Sequence, residues 1–354
     1  MAVATIGFHL TDRCQLDCQH CLRDPALTPK DLPLTLIRKV LAEVQRTHGR
    51  VQVALTGGEP MLHPEFEAVI DAIAEHGLTW HMVTNARRFE RLVAMLKAKP
   101  LRREALTGVN FSLDGADERV HDTIRGAGSY REVMLGATLA TAYGIPFVLQ
   151  MVVNRKNAHQ IEAFGLLAAT LSAKAVSFSF LQATGTHLDR ELYLSAREWR
   201  AVQDRVERLR DVLKIPVVMP EGFYQERAFH VCDPWSSQQI HVDVEGRLNL
   251  CCQHAGVPSA HAPGEAPPDV AGNLSEMSLA EAHAKLLDII HGAQKARLAR
   301  VAAGGLTEWD HFPCNDCMKH FRKPHWDDAG PGGPAAQRER WRGAWSKVKL
   351  PLVG

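Results

Sequence analysis

The chain has no long apolar segment and almost no net charge. Its 354 residues include no run of about 18 apolar residues, the length needed to span a membrane as a helix. The first apolar stretch reaches Asp12 and Arg13 without the pattern of a secretory signal peptide. Because the formal net charge is +1, the composition gives no reason to expect a nucleic acid or a charged membrane surface as a partner.

The eight cysteines do not indicate a disulfide framework, because nothing in the sequence points to secretion. Cysteines in an intracellular protein are more often metal ligands or reactive thiols, so we expect a cytoplasmic protein that binds metal through sulfur. The 45% of hydrophobic residues suffices for a sizeable core, and the length allows two or three domains.

Three cysteines lie within eight residues, with the spacing C-x3-C-x2-C, and are Cys14, Cys18 and Cys21. Thiolates are soft ligands that select iron–sulfur clusters, zinc or Cu(I). A cubane [4Fe–4S] cluster has four irons, so three cysteines leave one iron open to a small molecule. The alternative is a zinc knuckle, which usually takes four ligands in closely spaced pairs.

Strand and helix patterns alternate from the start of the chain to residue 181. The predicted strands are 2–10, 51–55, 79–84, 108–113, 147–153 and 175–181, and the predicted helices are 34–48, 64–75, 88–97, 129–143 and 159–171. Repeated βαβ units predict a parallel sheet covered by helices. Six units are too few for a closed eight-fold barrel, and the chemistry of such folds lies at the carboxyl ends of the strands.

The motif after the second predicted strand consists of Gly57, Gly58, Glu59 and Pro60. Paired glycines let the backbone approach a ligand closely, and a carboxylate can bind an ammonium group. Taken alone, the same four residues are also typical of an ordinary turn.

Polar residues follow three other strands. Ser112 and Asp114 end the fourth strand on one face, because side chains on a strand alternate. The guanidinium group of Arg125 suits a carboxylate ligand, although a surface arginine is the alternative. Asn154 ends the fifth strand, where a turn asparagine is the alternative, and Asn85 after the third strand is a weaker candidate.

The cysteine triplet after a first strand, followed by the Gly-Gly-Glu-Pro motif, resembles the radical S-adenosylmethionine (SAM) superfamily. The resemblance implies α/β architecture, a partial (β/α)6 TIM-like barrel over residues 1–185. It also implies a [4Fe–4S] cluster on the three cysteines and SAM beside it. In such enzymes the reduced cluster passes an electron to SAM, and the resulting 5′-deoxyadenosyl radical takes a hydrogen atom from a substrate.

The resemblance also implies roles for the motifs. Glu59 and its neighbours would bind the amino group of SAM, and Ser112 and Asp114 would contact its ribose or methionyl part. Arg125 would bind the SAM carboxylate, and Asn154 matches an asparagine at the same strand end in the family.

Five cysteines remain in the second half of the chain, namely Cys232, Cys251, Cys252, Cys314 and Cys317. Residues 239–244 and 247–251 predict a β-hairpin with a glycine in its turn. The spacing C-x13-G-x4-C, followed by C-x2-C, resembles the Twitch segment, the shortened SPASM form with one auxiliary cluster. It implies a small C-terminal α+β domain over residues 232–328.

In that resemblance Cys232, Cys251, Cys314 and Cys317 bind a second [4Fe–4S] cluster. A four-cysteine zinc site is the alternative. Residues 186–231 would connect the two domains through a helix at 195–213 with Ser195 as its N-cap, and residues 329–354 would form a basic tail. The sequence also predicts a helix at 278–290 with Ser278 as its N-cap and loops at 185–194 and 258–268.

Three ligands for one cluster and four for the other leave Cys252 as a spare thiol. If the strand continues through Cys251 and Cys252, their side chains point to opposite faces. The alternative is that Cys252 is a small buried hydrophobic residue. Radical SAM epimerases, such as neomycin C epimerase, use a cysteine to return a hydrogen atom from the opposite face, and Cys252 resembles that residue.

We therefore expect an epimerase that acts on an aminoglycoside-type sugar, because Cys14 leaves little room before it for a peptide-recognition domain. The alternatives are a dehydrogenase of the 2-deoxy-scyllo-inosamine type, a peptide epimerase or maturase, and a zinc-bearing scaffold without activity. Expected partners are the small-molecule or short peptide substrate and an electron donor such as a flavodoxin or ferredoxin.

Overall fold

The computed structural model of the protein describes residues 3–23, 28–183, 191–255 and 267–325. Within these ranges the strands form one ten-stranded sheet. The strands are β1 (Thr5–Thr11), β2 (Gln52–Gly57), β3 (Thr79–Thr84), β4 (Leu106–Ser112), β5 (Phe147–Val153), β6 (Ala175–Phe180), β7 (Val217–Val218), β8 (Gln239–Val242), β9 (Arg247–Asn249) and β10 (Val270–Asn273). The helices are α1 (Leu34–His48), α2 (Phe66–Glu75), α3 (Phe89–Ala98), α4 (Pro100–Ala105), α5 (Glu118–Arg125), α6 (Ser129–Ala142), α7 (Ile161–Thr170), α8 (Ala196–Val212), α9 (Leu279–Ala303) and α10 (Pro313–His320).

The first six strands are parallel and lie side by side in chain order. Helices alternate with them, so the predicted partial (β/α)6 barrel is confirmed. Alternate residues of each strand enter the core, as Ile6, Phe8 and Leu10 do in β1. The segments that follow the six strands therefore meet at one edge of the sheet, where parallel barrels carry their chemistry.

Helix α1 illustrates how the spacing of apolar residues in the sequence determines a helix. Its buried residues are Ile37, Val40, Leu41 and Val44. Their spacing of three and four places them on one face of a helix with 3.6 residues per turn. Gly49, with φ of 75°, follows the last helical residue, so the predicted bounds 34–48 are confirmed.

The sheet continues into the second half of the chain. β8 pairs in parallel with β1, with Thr5 opposite Gln239 and Phe8 opposite Val242. β9 then folds back on β8, which confirms the predicted hairpin, and β10 pairs antiparallel with β9. The predicted boundary at residue 232 therefore precedes strands that join the barrel sheet, and the division into domains stays a prediction.

Two long helices begin as the sequence predicts, and one of them ends later. Ser195 and Ser278 form capping boxes with Glu198 and Glu281 at the starts of α8 and α9. α9 continues to Ala303, thirteen residues beyond the predicted end, and the short helices α4, α5 and α10 were not predicted.

Several predicted segments lie wholly or mostly outside the described residues. These are the loops at 185–194 and 258–268 and the tail at 329–354. In the described part of the chain, no helix combines the length and the apolar content that crossing a membrane requires.

Candidate active site

The cysteine triplet occupies the loop that leaves β1. Cys18 is buried, and Cys14 and Cys21 are half-buried. Burial raises the pKa of the Cys18 thiol to about 11, Arg125 opposes this rise, and Cys21 and Cys14 add to it. Cys14 and Cys21 therefore lie close enough to Cys18 to affect its ionisation, as ligands of the same cluster must.

Gly57 and Gly58 fit against the chain just before the first cysteine. The backbone N–H of Gly58 donates to the carbonyl oxygen of Thr11 at 2.6 Å. A Cβ on Gly58 would lie 2.1 Å from the Arg13 carbonyl oxygen, and a Cβ on Gly57, whose φ is 130°, would lie 2.5 Å from that of Thr11. The glycines thus admit the backbone of the cysteine loop, a contact that the sequence did not predict.

Glu59 is a buried carboxylate held by neutral donors. It is 1% exposed and accepts hydrogen bonds from Thr84 Oγ1 at 2.8 Å and from the Asn85 backbone N–H at 2.9 Å. Burial raises the pKa of Glu59 to about 7. Pro60 is buried beside it and starts a 3-10 turn, Pro60–Leu62. A buried carboxylate in this setting is suited to receive an ammonium group.

Arg125 lies at the end of α5 and joins Asp114 to the cysteine loop. Its Nε donates to Asp114 Oδ2, and its Nη1 lies 3.8 Å from Cys18 Sγ. Burial tends to lower the pKa of Arg125, but the charges of Asp114 and Cys18 outweigh it and keep that pKa raised. Arg125 is thus buried, which excludes the surface-arginine alternative.

Asp114 is fully buried, and its second carboxylate oxygen accepts a hydrogen bond from the Val152 backbone N–H at 2.8 Å. Both oxygens of Asp114 therefore have protein partners. The structure shows Asp114 and Arg125 in contact with each other. Their predicted contacts with SAM stay predictions.

Ser112 and Asn154 end neighbouring strands. Ser112 is half-buried at the end of β4. Asn154 is fully buried, its Nδ2 donates to the Val152 carbonyl at 3.0 Å, and its Oδ1 accepts from the Lys156 backbone N–H at 2.9 Å. These are the contacts of a turn asparagine, the alternative in the sequence analysis, and the role of either residue toward SAM stays a prediction.

Asn85 makes more contacts in the candidate site than its position in the sequence predicted. Its Nδ2 lies 3.8 Å from Cys14 Sγ, and its Oδ1 accepts a hydrogen bond from Gln15 Nε2 at 3.1 Å. Because its backbone also donates to Glu59, Asn85 connects the end of β3 with the cysteine loop and with the buried carboxylate.

The other four predicted ligands come together beside the end of β6. Burial, and then the charges of Cys232, Cys251 and Cys314, raise the pKa of Cys317. A Cβ on Gly222, whose φ is 120°, would lie 3.1 Å from Cys314 Sγ and 3.0 Å from Phe180 Cβ at the end of β6. Among the described residues, no three His, Cys, Asp or Glu side chains are grouped tightly enough to hold a single metal ion.

A buried ion pair fixes the helix that carries Cys314 and Cys317. Arg297 on α9 donates from Nη1 to Asp316 Oδ1 at 2.8 Å, and its Nε donates to the Ala228 carbonyl at 2.9 Å. Asp316 lies between the two cysteines on α10, so this arginine holds α10 against the segment that leads to Cys232. The sequence gave no signal for this pair.

Cys252 does not have the orientation that the sequence predicted. β9 ends at Asn249, and Cys251 and Cys252 lie in the turn that follows, where side chains do not alternate as they do on a strand. Cys252 is exposed. A hydrogen bond between the two thiols raises the pKa of Cys251 and lowers that of Cys252. The predicted continuation of the strand, and the opposite-face geometry derived from it, are therefore wrong.

Comparison with known proteins places these features in a family. Residues 8–168 match the model of the Radical SAM superfamily. These residues are therefore a radical SAM domain. A PqqA peptide cyclase from Gluconobacter oxydans is 28% identical over 324 residues, which cover 88% of this chain and 82% of that protein. A PqqA peptide cyclase from Methylorubrum extorquens strain PA1 is 28% identical over 252 residues, which cover 68% of this chain and 64% of that protein.

Solved structures show the same radical SAM fold. Streptococcus suis SuiB bound to S-adenosylmethionine has a TM-score of 0.69 at 14% identity, over 90% of this chain and 74% of that one. The protein anSMEcpe, with bound AdoMet and a peptide, has a TM-score of 0.66 at 15% identity over 98% of both chains. The resemblance to neomycin C epimerase has no counterpart among these similarities.

This radical SAM enzyme therefore uses a [4Fe–4S] cluster and SAM, and the residues after β1 and β2 fit both. The three thiols of one loop match the cluster, because a thiol becomes a good ligand once metal displaces its proton. The Glu59 carboxylate offers the charge that the ammonium group of SAM needs.

Replacing Glu59 by Gln is expected to weaken SAM binding and to remove its dependence on pH. Because the pKa of Glu59 is about 7, protonation in the native enzyme should weaken SAM binding by about tenfold for each pH unit below 7. Isothermal titration with SAM across neutral pH measures both effects. If Glu59→Gln left the affinity for SAM unchanged, the Gly-Gly-Glu-Pro motif would form a turn without binding SAM.

In the absence of SAM, the free energy of unfolding should fall as the pH rises, whereas the affinity for SAM should increase. The folded-state pKa of Glu59 lies above its ordinary value of 4.5, so its contribution to stability is fullest below that value and is lost as the pH rises through about 7. Denaturant unfolding of the native chain and of Glu59→Gln at several pH values provides the comparison.

Proposed function

We propose that this radical SAM enzyme modifies a peptide and that its four C-terminal cysteines hold an auxiliary [4Fe–4S] cluster. The observation that carries the proposal is the second set of thiols beside the end of β6, of which Cys317 is buried and the other three are half-buried. Support for a peptide comes from the names of its relatives, which are PqqA peptide cyclases, and from SuiB, which was solved with the precursor peptide SuiA.

The chain's own residues divide into binding and positioning groups. The seven cysteines would hold the two clusters, Glu59 would hold the SAM amino group, and Arg125 would steady the first cysteine loop from α5. The first cluster and SAM, when bound, supply a 5′-deoxyadenosyl radical that abstracts a hydrogen atom. An external donor such as a flavodoxin or ferredoxin would deliver the electron that starts the reaction.

A peptide substrate replaces the aminoglycoside that the sequence analysis expected. That expectation depended on the short segment before Cys14, and SuiB and anSMEcpe share the fold and were solved with peptides. We keep the aminoglycoside as a substrate to be tested and do not propose it.

The proposed reaction is an oxidation of the peptide, such as formation of a crosslink. One hydrogen would leave with 5′-deoxyadenosine and the second as a proton, and Cys232, Cys251, Cys314 and Cys317 would hold the cluster that could take up the remaining electron. Epimerisation is the second candidate, because Cys252 presents an exposed thiol next to the ligand Cys251. In that reaction the Cys252 thiol would return a hydrogen atom to the peptide carbon.

Mass spectrometry of a peptide after reaction in D2O separates the two reactions. We expect a product two mass units lighter with no carbon-bound deuterium, and only a modest effect of Cys252→Ala. Epimerisation would instead add one deuterium from the exchangeable thiol, and Cys252→Ala would stop inversion while 5′-deoxyadenosine still forms. Turnover of an aminoglycoside but of no peptide would refute the proposed substrate class.

A further inference from the structure

A buried charged cluster lies directly behind Cys317 and consists of His254, Asp269 and Lys323. These residues are 3%, 0% and 2% exposed. His254 Nε2 lies 3.5 Å from Cys317 Sγ, and His254 Nδ1 lies 3.2 Å from Asp269 Oδ2. His254 comes from the turn after β9, Asp269 directly precedes β10, and Lys323 lies in the segment after α10.

Lys323 completes the cluster by contacting both Asp269 and His254. Its Nζ lies 3.0 Å from Asp269 Oδ2 and donates to the backbone carbonyl of His254 at 3.0 Å. Lys323 therefore fixes the backbone of His254, and Asp269 holds Lys323 in place. With both contacts in place, the ring presents Nε2 to the Cys317 sulfur.

Burying a lysine and an aspartate costs free energy that their mutual attraction offsets only in part. The contacts of Lys323 and Asp269 nevertheless help to direct the imidazole of His254 toward the sulfur of Cys317. None of the three residues belongs to the cysteine motif, and none was selected from the sequence.

We propose that His254 is a positioning residue for the auxiliary cluster and that it donates a hydrogen bond from Nε2 to the thiolate of Cys317. The inference rests on the proposed auxiliary cluster. A ligating thiolate carries no proton, so the proton of this hydrogen bond lies on Nε2. Lys323 acts through the backbone of His254, and Asp269 acts through Lys323.

The consequence concerns the reduction potential of the cluster. A hydrogen bond to a ligating sulfur stabilises the reduced cluster, which carries more negative charge, and thereby raises the potential. In the proposed function this cluster accepts an electron from the substrate radical, and a raised potential favours that transfer. Loss of the donor should lower the potential.

The test uses the full chain with Cys14, Cys18 and Cys21 replaced by Ala, so that any remaining cluster is the auxiliary one. A redox titration followed by electron paramagnetic resonance gives its midpoint potential. We expect His254→Leu to make reduction at least tenfold less favourable, which is 59 mV for a one-electron couple. His254→Gln, which keeps an N–H donor, should restore part of the shift, and Asp269→Asn should lower the potential less than His254→Leu.

His283→Leu is the matched control, because His283 is a buried imidazole whose Nε2 contacts Ser237 Oγ and no cysteine. It should leave the potential unchanged. An intact cluster with the same potential in His254→Leu would overturn the inference, and so would loss of iron from both His254 variants, since His254 would then be a ligand or a folding requirement. Absence of iron while His254 is native would instead refute the auxiliary cluster itself, and this inference with it.

Discussion

Replacement of Cys14, Cys18 or Cys21 by Ala is expected to reduce formation of 5′-deoxyadenosine from SAM to the level seen without enzyme. The three thiols share one loop, and Cys14 and Cys21 both add to the raised pKa of Cys18, so we expect each to be needed to hold the same cluster. With two thiolates the cluster would lack one of the three protein ligands that leave a single iron open. Chromatography of reactions with SAM and a chemical reductant measures the product.

His291→Ala is the control, because His291 is exposed on α9 and takes no part in either cysteine site. It should cleave SAM at the native rate. Continued 5′-deoxyadenosine formation in any of the three cysteine variants would remove the residue concerned from the cluster site.

Arg125→Met is expected to lower the free energy of unfolding by about 3–5 kcal/mol, because the buried Asp114 carboxylate loses its cation. The same change removes the guanidinium group that lies 3.8 Å from Cys18 Sγ. We therefore expect the variant to bind the first cluster poorly as well, with about four irons fewer per chain. Denaturant unfolding and iron analysis measure the two effects separately.

Arg102→Met is the matched control for Arg125→Met. Arg102 is also buried, and it pairs with Asp71 at 2.6 Å and with Glu67 at 2.9 Å, between α4 and α2. It should destabilise the fold yet leave the iron content unchanged. If both variants lost iron to the same extent, the effect of Arg125 would reflect stability alone, and its contact with the cysteine loop would have no separate role.

The barrel and the cysteine triplet could be predicted because their signals are local. The period of apolar residues gave the bounds of α1 and β5 to the residue, and the C-x3-C-x2-C spacing lies within one loop. The positions of Glu59 and Asp114 followed from the strand ends, since the carboxyl ends of parallel strands share one edge.

The contacts within the site could not be predicted in the same way. The pairing of Arg125 with Asp114 depends on α5, a helix of eight residues of which only Val120 and Ile124 are apolar, and the link from Asn85 to Cys14 spans 71 residues. The error at Cys252 came from extending a strand past its last paired residue. Whether a strand ends at Asn249 or continues depends on its partner β10, which the sequence did not reveal.

The division of seven cysteines into two cluster sites underlies the proposed function and is the claim to test first. Iron and acid-labile sulfide should be measured after anaerobic reconstitution of the native chain and of two variants, one lacking Cys14, Cys18 and Cys21 and one lacking Cys232, Cys251, Cys314 and Cys317. We expect about eight irons in the native chain and about four in each variant. Four irons with one zinc in the native chain, the zinc being lost with the C-terminal cysteines, would contradict the auxiliary cluster.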